Sequence, residues 1–124
     1  MPNPYGAPEI SVLDLKKKLD EAKQNGGQAP LLVDVREPNE LLQAAIRTEP
    51  VVLAPLSQLA KQGVSALPAA AQGKESELVV FCHHGMRSAQ VTAWLQQQGW
   101  SNVVSLAGGI DSWARQVDGS TGIY

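Results

Sequence analysis

Four short apolar runs alternate with segments of helical periodicity, and that alternation leaves few folds open to the chain. Leu78-Val79-Val80-Phe81 is the strongest strand signal; Leu31-Leu32-Val33-Asp34-Val35 follows Pro30, and Val51-Val52-Leu53 and Asn102-Val103-Val104-Ser105-Leu106 complete the set. Continuous apolar runs rich in β-branched residues belong to strands covered on both faces. Around them, Ser11 precedes Val12, Leu15, Leu19 and Ala22 at helical spacing, and Asn25-Gly26-Gly27 stops the pattern. Pro38 opens a short helix over Glu40 to Ala45, and Pro55 to Gly63 is a brief helix ended by glycine. From Ser88 the chain turns helical, with Val91, Trp94 and Leu95 on one face and Gly99 closing it; Gly108-Gly109 leads into Ile110, Trp113, Ala114 and Val117. The order predicts an α/β fold, an open, mainly parallel β-sheet flanked by helices on both faces. Val64 to Glu77, Ala-rich and polar, is assigned no element.

At 124 residues the chain is read as a single domain, with a core over about 11–117 and a surface tail over 118–124. A fold of this size buries about two-thirds of the surface its unfolded chain exposes, so it needs neither disulfide nor structural metal. Ten Lys+Arg against twelve Asp+Glu give a net charge of -2, which argues against nucleic acid as the main partner. Nowhere do eighteen apolar residues run together, and Met-Pro-Asn-Pro-Tyr-Gly has no positive region followed by an apolar stretch. A cytoplasmic protein with no membrane partner is the expectation. Cys82 is the sole cysteine, which excludes an internal disulfide and any multi-cysteine metal site and leaves one reactive thiol.

That thiol stands where a buried strand meets a helix. In parallel sheets ligands bind beyond the carboxyl ends of the strands, and the loop Cys82-His83-His84-Gly85-Met86-Arg87-Ser88 lies there. A helix start offers unpaired N–H groups and a positive dipole end, and Arg87 adds a permanent charge; all favour an anion. Gly85 can take backbone angles that a side chain forbids, letting the N–H groups converge above the sulfur. Cys82 is therefore the candidate nucleophile, and His83, His84, Gly85, Met86, Arg87 and Ser88 are the candidate substrate-binding residues. The competing reading makes Cys82 an inert core residue, which would not require glycine and arginine at these offsets. Two adjacent histidines and one cysteine on a tight loop do not readily converge on a tetrahedral ion, so no metal and no other cofactor is expected.

Three segments together resemble the rhodanese family of sulfurtransferases: Leu32-Val33-Asp34-Val35-Arg36-Glu37-Pro38, Val79 to Ser88, and Leu106-Ala107-Gly108-Gly109-Ile110-Asp111-Ser112-Trp113. Their order and spacing match, and the likeness covers about Ser11 to Val117. The resemblance implies a single-domain thiosulfate sulfurtransferase in which Cys82 accepts a sulfane sulfur as a persulfide and passes it to a thiol or cyanide. A small anionic donor such as thiosulfate and a small-molecule or protein thiol acceptor are the implied partners. A sulfur-relay module serving one protein partner, with little small-molecule turnover, is the alternative. Relatives that act on phosphate or arsenate have five residues between cysteine and arginine; the four here make the smaller loop of the sulfur-transferring branch.

Ala44-Ala45-Ile46-Arg47-Thr48-Glu49 departs from the family's common Gly-His-Ile-Pro-Gly-Ala, so the usual histidine is missing at Ala45. Asp34 and Arg36 are placed behind the loop at the carboxyl edge of the sheet, with a purely structural ion pair as the competing reading. Gly108-Gly109 either lets the last turn approach the loop or simply starts the helix that carries Trp113.

Overall fold

A computed structural model describes residues 3–124. Five strands, β1 (Glu9–Ile10), β2 (Leu31–Asp34), β3 (Val51–Leu53), β4 (Leu78–Phe81) and β5 (Val103–Leu106), form one all-parallel sheet in the order β1-β5-β4-β2-β3. The α-helices are α1 (Val12–Asn25), α2 (Leu56–Gln62), α3 (Met86–Gln97) and α4 (Gly109–Gln116).

Alternation along β4 sorts the core into two layers. Leu78 and Val80 pack with Val33, Leu59, Val91 and Leu95 beneath α2 and α3, while Val79 and Phe81 pack with Leu15, Leu19, Ile110 and Trp113 beneath α1 and α4. Each fully buried side chain of this size contributes about 1.5–3 kcal/mol relative to exposure. Both faces of the central strand β4 are covered, which is why it reads as an unbroken apolar run. Ser11 caps α1 by accepting the Asp14 N–H at 3.1 Å, and Gly26, at φ 68°, ends it.

The strand order also locates the site. The chain leaves β2 toward β3 and leaves β4 toward β5, in opposite directions, although β2 and β4 are neighbours. Connections that diverge in this way open a crevice at the carboxyl ends of the two strands. Arg36 follows one of these ends and Cys82 the other.

Several elements differ from the sequence expectation. The helix expected over Glu40 to Ala45 is a 3-10 turn, Pro38–Leu42, after which Ala44 and Ile46 turn inward. Leu42 is 90% exposed, so the segment has no apolar face to hold a longer helix. Helix α3 starts at Met86, two residues before Ser88, because Gly85 supplies the preceding turn at φ 102°. The unassigned stretch holds two 3-10 turns, Gly63–Ala66 and Ala69–Ala71, fastened where Trp100 Nε1 donates to the Ala71 carbonyl at 3.0 Å. The tail makes a 3-10 turn, Gly119–Thr121, and returns along the segment after the first such turn: the Ala45 N–H donates to the Thr121 carbonyl at 3.0 Å.

Candidate active site

The buried Cys82 sulfur sits against the first turn of α3. It accepts hydrogen bonds from the backbone N–H of Gly85 at 3.1 Å and of Ser88 at 3.3 Å, and lies 3.5 Å from Ser88 Oγ. The Ser88 N–H is one of the donors that every helix start leaves without an intrahelical partner; here the sulfur uses it. Behind it, Ser88 Oγ reaches Ser105 Oγ at 2.8 Å, and both serines are fully buried. Helix α4 holds the loop from below: the Ile110 N–H donates to the Cys82 carbonyl at 2.8 Å and the Asp111 N–H to the His83 carbonyl at 3.1 Å.

The sequence leads one to expect Arg87 at the donor anion. In the structure both arms of its guanidinium hold the Glu40 carboxylate, at 2.7 and 2.9 Å. The hydrogen bonds from Arg87, joined by those from the Glu37 N–H and the Tyr124 hydroxyl, hold the Glu40 carboxyl down from 4.5 to about 2. Glu40 in turn keeps Arg87 firmly charged.

Asp34 and Arg36 form a buried ion pair, with Arg36 Nη2 at 2.8 Å from Asp34 Oδ2 and Nε at 3.0 Å from Oδ1. The pair reaches the loop through another residue. Arg36 Nη1 donates to the Tyr124 hydroxyl at 3.0 Å, which donates to Glu40 Oε1 at 2.9 Å. A continuous chain Asp34–Arg36–Tyr124–Glu40–Arg87 thus links the carboxyl end of β2 to the loop.

The Tyr124 ring stacks on His83, centroids 3.7 Å apart and planes within 6°, and His83 stacks on His84 at 3.8 Å. His84 is largely exposed, with Nδ1 4.0 Å from Asp111 Oδ2, and Met86 is 55% exposed at the rim. The candidate ligand atoms of His83, His84 and Asp111 lie within 4.8 Å of one another. Imidazole lone pairs lie in the ring plane, however, so stacked rings direct them side by side rather than at one point, and Asp111 is already held by Arg115 Nε at 3.0 Å.

The sequence reading misses Glu40, Ser105 and Tyr124. The one available signal for Ser105 is a lone hydroxyl inside an apolar run; Glu40 and Tyr124 acquire their roles through partners far along the chain.

The family model for the rhodanese-like domain matches residues 11–116. The chain belongs to the rhodanese-like domain family. A sulfurtransferase of Allochromatium vinosum is 40% identical over 85 residues, covering 68% of this chain and 72% of that protein. The structure of the human single-domain sulfurtransferase TSTD1 superposes with a TM-score of 0.69 at 28% identity, covering 90% of this chain and 98% of that one. The adenylyltransferase and sulfurtransferase MOCS3-1 of Zea mays is 32% identical over 124 residues, but this chain spans only 26% of its length. The rhodanese-like domain described here thus shares its fold with single-domain sulfurtransferases and with a segment of larger proteins. Among the described residues no helix is long and apolar enough to cross a membrane.

The charge arrangement of this rhodanese-like domain gives an acid-stability expectation. The Glu40 carboxyl has a lower pKa folded than unfolded, so its ionised form stabilises the fold above pH 4.5, and this contribution fades as the pH falls from 4.5 toward about 2. Urea midpoints followed by circular dichroism should drop across that window in the wild type. In Glu40→Gln the same limb should be visibly flatter; an unchanged limb would remove Glu40 as its source.

Proposed function

We propose that the domain is a sulfurtransferase whose Cys82 carries the sulfur as a persulfide. The observation that carries this reading is the convergence of the Gly85 and Ser88 N–H groups on Sγ, at 3.1 and 3.3 Å, at the start of α3. Such a cradle favours sulfur as an anion, both as the attacking thiolate and as the terminal sulfur of the persulfide. With thiosulfate, the Cys82 thiolate attacks the outer sulfur. A new S–S bond forms, the S–S bond of thiosulfate breaks, and the electron pair leaves on sulfite. The second half runs in reverse sense: an acceptor thiolate or cyanide attacks the terminal sulfur and Cys82 leaves as thiolate, so no outside oxidant or reductant is consumed.

In this reading His83, His84, Gly85, Met86, Arg87 and Ser88 form the binding loop, of which Gly85 and Ser88 touch the sulfur, and Asp34 and Arg36 support the loop through Tyr124 and Glu40. The test is the intact mass after incubation with thiosulfate or a small persulfide. One added sulfur atom, removable by cyanide or dithiothreitol, is the expected result. No adduct from either donor would overturn the reading.

A further inference from the structure

Building on that sulfur-transfer reading, we propose that Glu40 sets the charge class of the donor, turning the site away from dianionic thiosulfate and toward neutral or singly charged organic persulfides. Three arginines near the loop are each paired with a carboxylate. Arg87 gives both arms to Glu40. Arg36 is paired with Asp34 in the interior. Arg115 is paired with Asp111, beside His84. Each of these three arginines therefore has its own carboxylate, and the two N–H groups that point at the sulfur are already engaged by Sγ.

A dianion approaching the Cys82 thiolate thus finds these three guanidinium groups already committed to carboxylates. Glu40 is held in place from several sides, by Arg87, by the Tyr124 hydroxyl and by its own contact with the Glu37 N–H at 2.8 Å, so Arg87 is not readily released to a substrate. An organic persulfide asks less of the site. The Cys82 thiolate attacks its outer sulfur, the new S–S bond forms as the old one breaks, and the electron pair leaves on the organic thiolate. Any proton on the outer sulfur travels with it. The leaving group carries one charge where sulfite carries two.

The experiment compares single-turnover sulfur uptake at Cys82 from thiosulfate and from the persulfide of 2-mercaptoethanol, read by mass on the same preparation. Because both donors meet the same folded fraction, partial loss of structure in a variant cancels in the ratio of the two rates. Glu40→Gln frees the charge of Arg87 and should shift this ratio toward thiosulfate by at least about tenfold, the effect expected when one charged hydrogen bond to the donor becomes available. Tyr124→Phe removes a hydrogen bond to Glu40 but no charge, and should leave the ratio within about twofold of wild type. A Glu40→Gln ratio equal to that of the wild type, or moved no further than by Tyr124→Phe, would overturn the assignment while leaving sulfur transfer intact. Failure of the wild type to take sulfur from either donor would instead remove the reading on which it rests.

Discussion

Cys82→Ser is expected to lose all measurable sulfur uptake while keeping its fold. The serine hydroxyl fits the same cradle, since the Gly85 and Ser88 N–H groups at 3.1 and 3.3 Å from Sγ can donate to oxygen as readily as to sulfur. Ser88 Oγ, 3.5 Å from Sγ, offers the new hydroxyl a further partner. A buried polar group with partners costs little, so the stability change should stay within about 1 kcal/mol. The chemistry does not survive the exchange. An alcohol remains protonated under conditions where a thiol ionises, and an oxygen cannot carry a sulfane sulfur as a persulfide. The rate of labelling should fall by at least about a thousandfold, to the background of the reagent. Equal adducts on wild type and variant would place the sulfur elsewhere and sink the Cys82 assignment; a variant that fails to fold would show that the sulfur is primarily a packing element.

How much of this is legible in the sequence depends on how far apart the interacting residues lie. The strands from Leu31, Val51, Leu78 and Val103 announce themselves because they are largely or, for the edge strand from Val51, partly buried, and burial is written locally as a mainly apolar run. The cap at Ser11 and the glycine stop at Gly63 are equally local. The strand at Glu9–Ile10 is not: two residues carry no periodicity, and it exists only through its pairing with Ser105 and Leu106. The same rule governs the site. Cys82, Gly85 and Ser88 are close in sequence, and a strand-to-helix loop dictates that they converge. Glu40 meets Arg87 across 47 positions and Tyr124 across 84, so nothing local in an acidic residue after a proline, or in an aromatic after a glycine-rich tail, announces the contact. Ala45 belongs to this second class. The sequence marks only the departure from the family's histidine, whereas the structure shows its backbone N–H bound to the returning tail.

Gly109→Ala should be the most damaging single-methyl substitution at the site, because two independent effects meet there. Its φ of 62° lies in the left-handed region, which costs a residue with a side chain about 1–2 kcal/mol. Its added Cβ would also fall 2.5 Å from both the Cys82 and the His83 carbonyl oxygens and 2.7 Å from the His83 carbonyl carbon. These are backbone atoms of the sulfur loop and cannot swing aside as a side-chain tip can. The two carbonyls are also the acceptors through which Ile110 and Asp111 hold the loop, so relieving the clash lengthens those bonds and moves the loop carrying the Gly85 and Ser88 N–H groups. The combined cost should be about 3 kcal/mol or more, a fall in the thermal midpoint on the order of 10 °C. Sulfur uptake should decline beyond the loss of folded protein, since a shift of about 1 Å at a reacting group costs up to a hundredfold. Gly26 supplies the comparison: at φ 68° it carries the same conformational cost, but its Cβ would meet nothing within 4 Å. Gly26→Ala should therefore lower the midpoint by only the smaller, conformational part and leave labelling at the wild-type rate. If the two alanine variants melted together and labelled alike, the close approach of α4 to the loop would carry no energy, and Gly109 would be no more than the first residue of the helix that carries Trp113.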